Sequence, residues 1–228
     1  MRTVLTLAAA AAACGATAVL AFHAGRLSGV ETAPALLVSA PEAQPARGTD
    51  RPGETDLTPE QRQEMEAWMQ ANSLGKEHKE LAEKLVGTWD VTLRARMDPS
   101  QPEFVSHGKA TTERLFDGRF FLQRFESEMM GMPLHGLSLT GYSKAEGEYQ
   151  SVWLDSMNTA LAFSRGKKDG EGRIIYEGTE TEPTTGETIP YRDTFAFKGN
   201  DEHVLTRSYV LPDGTQAEAF SITFTRAK

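Results

Sequence analysis

The chain has 228 residues and a formal net charge of −8. An acidic surface repels phosphate backbones, which argues against nucleic acid as a partner. Its single cysteine, Cys14, precludes an intrachain disulfide and leaves the folded part without a thiolate metal site.

The amino terminus carries Arg2 and then an uncharged stretch, Thr3–Phe22. Three readings compete. A cleaved signal peptide would use Thr3–Gly15 as its apolar region and Ala16-Thr17-Ala18 as the small-residue cleavage site. An uncleaved anchor would use all of residues 3–22, which just reaches the ~20 residues a span needs. A lipid on Cys14, after Ala11-Ala12-Ala13, is the third. Each places the following domain outside the cytoplasm, periplasmic, extracellular or anchored on the outer side of the cytoplasmic membrane. Residues 1–25 are therefore expected to be a signal peptide or membrane anchor. Residues 26–56 scatter Pro34, Pro41, Pro45 and Pro52 among Ala, Glu, Gly and Thr, with no aromatic. So little apolar area cannot offset chain entropy, and the segment reads as a disordered linker or tether.

The domain is expected over 57–228, with helices over about 58–86. Thr58-Pro59-Glu60-Gln61 combines an N-cap, a first-turn proline and a capping-box glutamine. Met65, Trp68 and Met69 then share one helical face. Ser73-Leu74-Gly75 breaks this helix. A second places His78, Leu81, Ala82 and Leu85 together and ends at Gly87. Helices this short make no core alone and are expected to cap a larger structure.

From residue 87 the period changes to two. Trp89, Val91, Leu93, Ala95 and Met97 alternate with Asp90, Thr92, Arg94 and Arg96. Ile189, Tyr191, Phe195 and Phe197 repeat the pattern, as do Phe220, Ile222 and Phe224. Turn signals stand at Asp117-Gly118, Asp169-Gly170, Thr185-Gly186 and Asp213-Gly214. About ten strands are expected, starting near residues 87, 104, 119, 134, 149, 160, 173, 188, 203 and 216. No connection is long enough for a parallel crossover helix. The fold class is thus all-β with amino-terminal helices: an antiparallel up-and-down barrel of about ten strands over 87–228, capped by one or two short helices.

Gly87-Thr88-Trp89-Asp90 resembles the Gly-x-Trp signature of lipocalin-like barrels. That resemblance implies a Trp89 that plugs one end and an Arg226 packed over it. Glu77-His78, Leu85 to Asp90, Met129-Met130-Gly131-Met132-Pro133, Leu139-Thr140-Gly141-Tyr142, Trp153 to Met157 and Pro212-Asp213-Gly214 together resemble the bacterial domain of unknown function 1579 family. The resemblance implies a calycin-type barrel and supplies no activity. Ser143 stands where the family pattern has Asp, and His135 where it has an acidic residue.

Candidate ligand-binding residues are Trp153, Asp155, Met157, Asp193, Tyr142, Met130 and Met132. A carboxylate inside a barrel is costly unless paired. Asp155 and Asp193 are read either as a polar floor for a ligand or as structural groups. In the second reading Arg124 or Arg207 pairs them, or Asp155 serves as a strand-end turn residue. The second reading is favoured. Met129-Met130-Gly131-Met132 is read as an adaptable apolar loop over the barrel mouth. Copper(I) on thioethers, with His135 adding a ligand, is the chemical alternative. No two histidines have metal-ligand spacing, so no metal site is assigned. Haem on His203 is a formal option without an aromatic-rich flank in the sequence. Gly-x-Ser-x-Gly and phosphate-loop motifs are absent. Three functions remain: a module binding a small, mostly apolar molecule inside the barrel, a scaffold with no ligand, and an enzyme using Asp155 or Asp193 as acid or base. The binding module is ranked first.

Overall fold

The computed structural model describes residues 57–96 and 102–228. The readings of the signal, the linker, Cys14 and Met97 lie outside these residues. The described chain divides near residue 70, with helix α1 (Pro59–Ala71) falling almost wholly in one unit and the rest in another. α1 starts as its sequence requires. The Gln61 backbone N–H donates to Thr58 Oγ1 at 3.2 Å and the Thr58 N–H to Gln61 Oε1 at 2.9 Å, a reciprocal capping box. None of its residues is buried, and Met65, Trp68 and Met69 are exposed. The face expected to serve as a cap is therefore not core.

The second unit opens with helix α2 (Lys76–Leu85). Ten strands follow: β1 (Gly87–Ala95), β2 (Phe104–Leu115), β3 (Phe120–Met129), β4 (Met132–Ser143) and β5 (Glu148–Asp155), then β6 (Ala162–Lys168), β7 (Ile174–Thr181), β8 (Thr188–Phe197), β9 (Glu202–Val210) and β10 (Gln216–Arg226). Each pairs antiparallel with its neighbours in sequence, and β1 pairs with β10 to close the barrel. Closure leaves no unpaired sheet edge. The strands begin within two residues of the expected positions.

The closing seam follows the alternation of β1. Trp89, Val91, Leu93 and Ala95 are buried, opposite Arg226, Phe224, Ile222 and Phe220 of β10. α2 supplies a lid. Leu81 and Leu85 are buried against Phe121, Tyr149, Ile174 and Tyr176. His78 is buried on the same helix, and its Nδ1 accepts the Gly75 N–H at 3.1 Å. It is a packing residue that also caps α2.

Over the middle of β4–β6 the sense of the alternation reverses. Leu122, Leu139 and Val152 stand in one row with Phe163. Leu139 and Phe163 are 37% and 63% exposed on the outer face of the barrel. The residues beside them, Gln123, Ser138, Thr140, Ser151 and Ser164, turn inward instead. This wall carries its aliphatic side chains outside and its small polar ones inside.

Candidate ligand-binding cavity

The inward polar residues follow the register. One row runs Thr112, Gln123, Ser138, Trp153, Ala162 from β2 to β6, and the next runs Thr140, Ser151, Ser164, Gly178, Tyr191 from β4 to β8. Short side chains on one wall leave space that the opposite wall, with Leu93, Phe220, Ile222 and Phe224, does not fill. The result is a cavity of about 140 Å³. An apolar cavity of roughly 150 Å³ accommodates a single benzene ring, so this one has room for one ring-sized molecule.

Three hydroxyls form its floor. Thr140 Oγ1 and Ser151 Oγ are 3.2 Å apart, Ser138 Oγ and Thr140 Oγ1 3.4 Å, and Ser138 Oγ and Ser151 Oγ 3.5 Å. Ordinary hydroxyl bonds centre near ~2.8 Å. These are long, and hydroxyl acceptor capacity remains open toward the cavity.

Trp153 forms one side. Its indole edge meets Phe125 with ring centres 5.7 Å apart, and it lies over Gly136, where a Cβ would overlap the ring. Trp153 Nε1 donates to Asp155 Oδ2 at 2.8 Å. The other carboxylate oxygen of Asp155 accepts the backbone N–H groups of Met157 and Asn158 at 2.8 and 2.9 Å. Asp155 thus terminates β5 as a turn residue while lining the cavity.

Asp193 and Arg207 face each other across β8 and β9. Arg207 donates from Nε and Nη2 to the two Asp193 oxygens, each at 2.8 Å. Its Nη1 reaches Glu180 at 3.2 Å, and the Tyr209 hydroxyl donates to Glu180 at 2.6 Å. The guanidinium carbon sits 3.8 Å from the Tyr191 ring centre. Burial opposes the Arg207 charge, but the Asp193 contacts reverse that and hold its pKa above the ordinary value. Burial pushes the Glu180 carboxyl above its usual range, against the pull of Tyr209 and Arg207. Glu180 and Tyr209 went unnoticed in the sequence because neither stands in a motif. Their only signal is the inward parity they share with Tyr191.

Of the expected ligand residues, Trp153, Asp155 and Asp193 line the cavity. Met157 packs against the core beyond the end of β5. Tyr142 packs instead at the α2 end, 6.0 Å from His78 and 4.9 Å from Tyr149 by ring centres. Met130 and Met132 are exposed and do not line the cavity. The expected loop is a two-residue hairpin turn, with Met130 and Gly131 at φ 53° and 79° between paired Met129 and Met132. Positive φ at both central residues matches the strand twist of a type I′ turn, so the segment is a tight turn and not the expected loop over the barrel mouth. Met129 is fully buried in the core. These thioethers face different surroundings, and His135 is exposed. Arg124 lies outside, 3.9 Å from Glu113, so it pairs with neither candidate carboxylate. Among the described residues no cluster of three His, Cys, Asp or Glu side chains could hold a metal ion.

His203 corrects another expectation. Its aromatic flank comes from other strands. It stacks between Phe195 and Phe224, at 5.0 and 4.5 Å, with Trp89 edge-on at 4.4 Å. Both ring nitrogens are buried without a hydrogen-bond partner. The ring does not line the cavity, and burial lowers its pKa to about 3. It is a core aromatic rather than an axial ligand facing open space.

No curated protein matches the chain. Among solved structures, the chain is similar to the S-type phycobiliprotein lyase of Guillardia theta, at 11% identity and a TM-score of 0.47, over 71% of this chain and 97% of that one. It is likewise similar to Rv2717c from M. tuberculosis, at 12% identity and a TM-score of 0.49, over 68% of this chain and 100% of that one. Residues 73–226, from the break before α2 to the last residue of β10, match the family described as a protein of unknown function, DUF1579, and the chain belongs to that family.

Proposed function

We propose that this barrel binds one small molecule in its interior, and that residues 1–25 place it outside the cytoplasm with residues 26–56 as a tether. The observation that carries the binding reading is the cavity of about 140 Å³ against a wall of inward Ser, Thr and Gly residues. A barrel that only needed to be stable would fill this wall with the aliphatic residues that β3–β6 instead direct outward. The lining is mostly apolar, with short polar side chains gathered on one wall. The uncharged stretch Thr3–Phe22 supports the address.

Acid or base chemistry gains no support. Both Asp193 oxygens are held by Arg207, and both Asp155 oxygens accept hydrogen bonds. A scaffold role has one observation in its favour, the outward row of Leu122, Leu139, Val152 and Phe163. Exposed apolar patches mark contact surfaces. Such a surface and an interior ligand are compatible.

Native mass spectrometry of the full chain, purified without denaturant from its own host, tests the binding reading. The expected result is a discrete additional mass lost on denaturation. A bare mass that also takes up no ring-sized probe at millimolar concentration would sink it.

A further inference from the structure

The cavity carries enough chemistry to name a ligand class, an inference that rests on the binding reading above. Three properties matter. The first is size: about 140 Å³ has room for one ring-sized group. The second is shape. Phe125, Trp153, Tyr191 and Phe220 contribute aromatic surface to the lining, and aromatic walls favour a flat ring packed by edge or offset face. The third is polarity: beside the Asp155, Asp193 and Arg207 groups already bonded within the protein, and Gln123 and Ser164, the lining holds the cluster of Ser138, Thr140 and Ser151 hydroxyls.

Those hydroxyls set the ligand's polar group. Each offers one donor and two acceptor positions. The three mutual contacts engage at most one donor per hydroxyl, so acceptors outnumber the bonds made. A ligand hydroxyl would donate to one of these open acceptors. An apolar ligand would leave them unused, and a pocket built to hydrogen-bond a hydroxyl favours the ligand that carries one.

Charge is selected against on both sides. A carboxylate on the ligand would meet Asp155, Asp193 and the neighbouring Glu180, against the single cation Arg207, which is already bidentate on Asp193. An ammonium would lose its hydration on entry and would have to compete for carboxylate oxygens that already have donors. Asp193 is fully engaged by Arg207, and Asp155 accepts from the Trp153 indole and two backbone amides.

We infer that the barrel interior is a site for a neutral, hydroxyl-bearing ring compound of phenol size, with its hydroxyl on Ser138, Thr140 and Ser151.

Phenol, toluene, benzoate and benzylamine titrated into the full chain by protein-observed NMR test this. Phenol and toluene have the same number of heavy atoms and differ in the hydroxyl. Phenol should bind at least tenfold tighter than toluene, and both charged rings more weakly than phenol. The S138A/S151A double variant, and separately the isosteric T140V, should weaken phenol at least fivefold and leave toluene unchanged or tighter. The toluene arm also reports whether each variant still folds. Toluene binding as tightly as phenol, a charged ring binding tighter, or variants that leave phenol unaffected would overturn the ligand class while the binding site stands. Failure of all four rings to bind would instead overturn the binding reading itself.

Discussion

Arg226 lies over the Trp89 indole, with its guanidinium carbon 4.3 Å from the ring centre. Trp89 Nε1 donates to the Leu85 carbonyl at 2.9 Å, and Arg226 Nη1 to the Val86 carbonyl at 2.9 Å. The last strand is thereby tied to the end of α2 and the start of β1. Gly87 sits beneath this arrangement at φ 138°, and a Cβ there would stand 2.5 Å from Arg226 Nη1.

Gly87→Ala should therefore cost about 1–3 kcal/mol through backbone strain and through displacement of Arg226. Arg226→Met should cost about 1–2 kcal/mol in lost cation–π and carbonyl contacts. Because the two changes disturb one contact, their combination should be less destabilising than the sum of the two. Urea denaturation of the three variants checks this, and strict additivity would show that Gly87 and Arg226 act separately.

The Asp193–Arg207 pair gives a second expectation. Removing one partner strands a buried charge, so Arg207→Met should destabilise by about 3–5 kcal/mol. Replacing both, as D193L/R207M, removes the Asp193 charge, leaves Glu180 with the Tyr209 hydroxyl, and should recover part of that loss. Denaturant midpoints decide it. A double variant worse than R207M would mean the pair is required for packing rather than for charge balance.

His203 makes stability depend on pH in a defined direction. Its folded pKa of about 3 lies well below the ordinary 6.5 because burial disfavours the cation, with Arg226 adding to the effect. Between these values the unfolded chain binds a proton that the folded chain refuses. The contribution is complete above pH 6.5 and falls as pH drops toward 3, by about 1.4 kcal/mol per unit. His203→Phe, which suits a site between Phe195 and Phe224, should flatten that slope. Stability curves from pH 7 to 4 with equal slopes in both proteins would rule the histidine out as their source.

Trp153 depends on Gly136 in the same way that Arg226 depends on Gly87. A methyl at Gly136 would overlap the indole. Gly136→Ala should push Trp153 off Asp155, cost about 1–3 kcal/mol by overpacking, and shift the Trp153 emission. Unchanged emission would place the ring elsewhere.

These glycines also show what could be read in advance. Strand positions and turns follow from period-two patterning and turn chemistry. The Trp89–Arg226 plug follows from the resemblance to lipocalin-like barrels, and Arg207 is one of two arginines that the sequence offers to Asp155 and Asp193. The direction of the alternation on β4–β6 does not follow from patterning. In Leu137-Ser138-Leu139-Thr140 the pattern is clear, but hydrophobicity alone assigns the leucines to the core. Register carried around from Trp89 assigns them outward. The available signal was the inward-parity set Gly136, Gly166 and Gly178, since inward glycines mark places where a large neighbour lies across the strand. The Met129–Met132 segment is a two-residue hairpin turn and not a loop over the mouth, a spacing that shows only once Met129 and Met132 are known to pair. His203 gained its aromatic surround from Phe195 and Phe224 on other strands, which no local flank displays.

The most direct test of the interior site uses the tryptophans themselves. Trp153 lines the cavity, Trp89 is sealed at the plug, and Trp68 lies on α1. With 5-fluorotryptophan incorporated into the full chain and each signal assigned by Trp→Phe substitution, a fluorine NMR titration with phenol should shift the Trp153 resonance saturably. The Trp89 and Trp68 resonances should stay in place. A Trp153 signal that does not respond, or responds no more than Trp68, would contradict a ligand site inside this barrel.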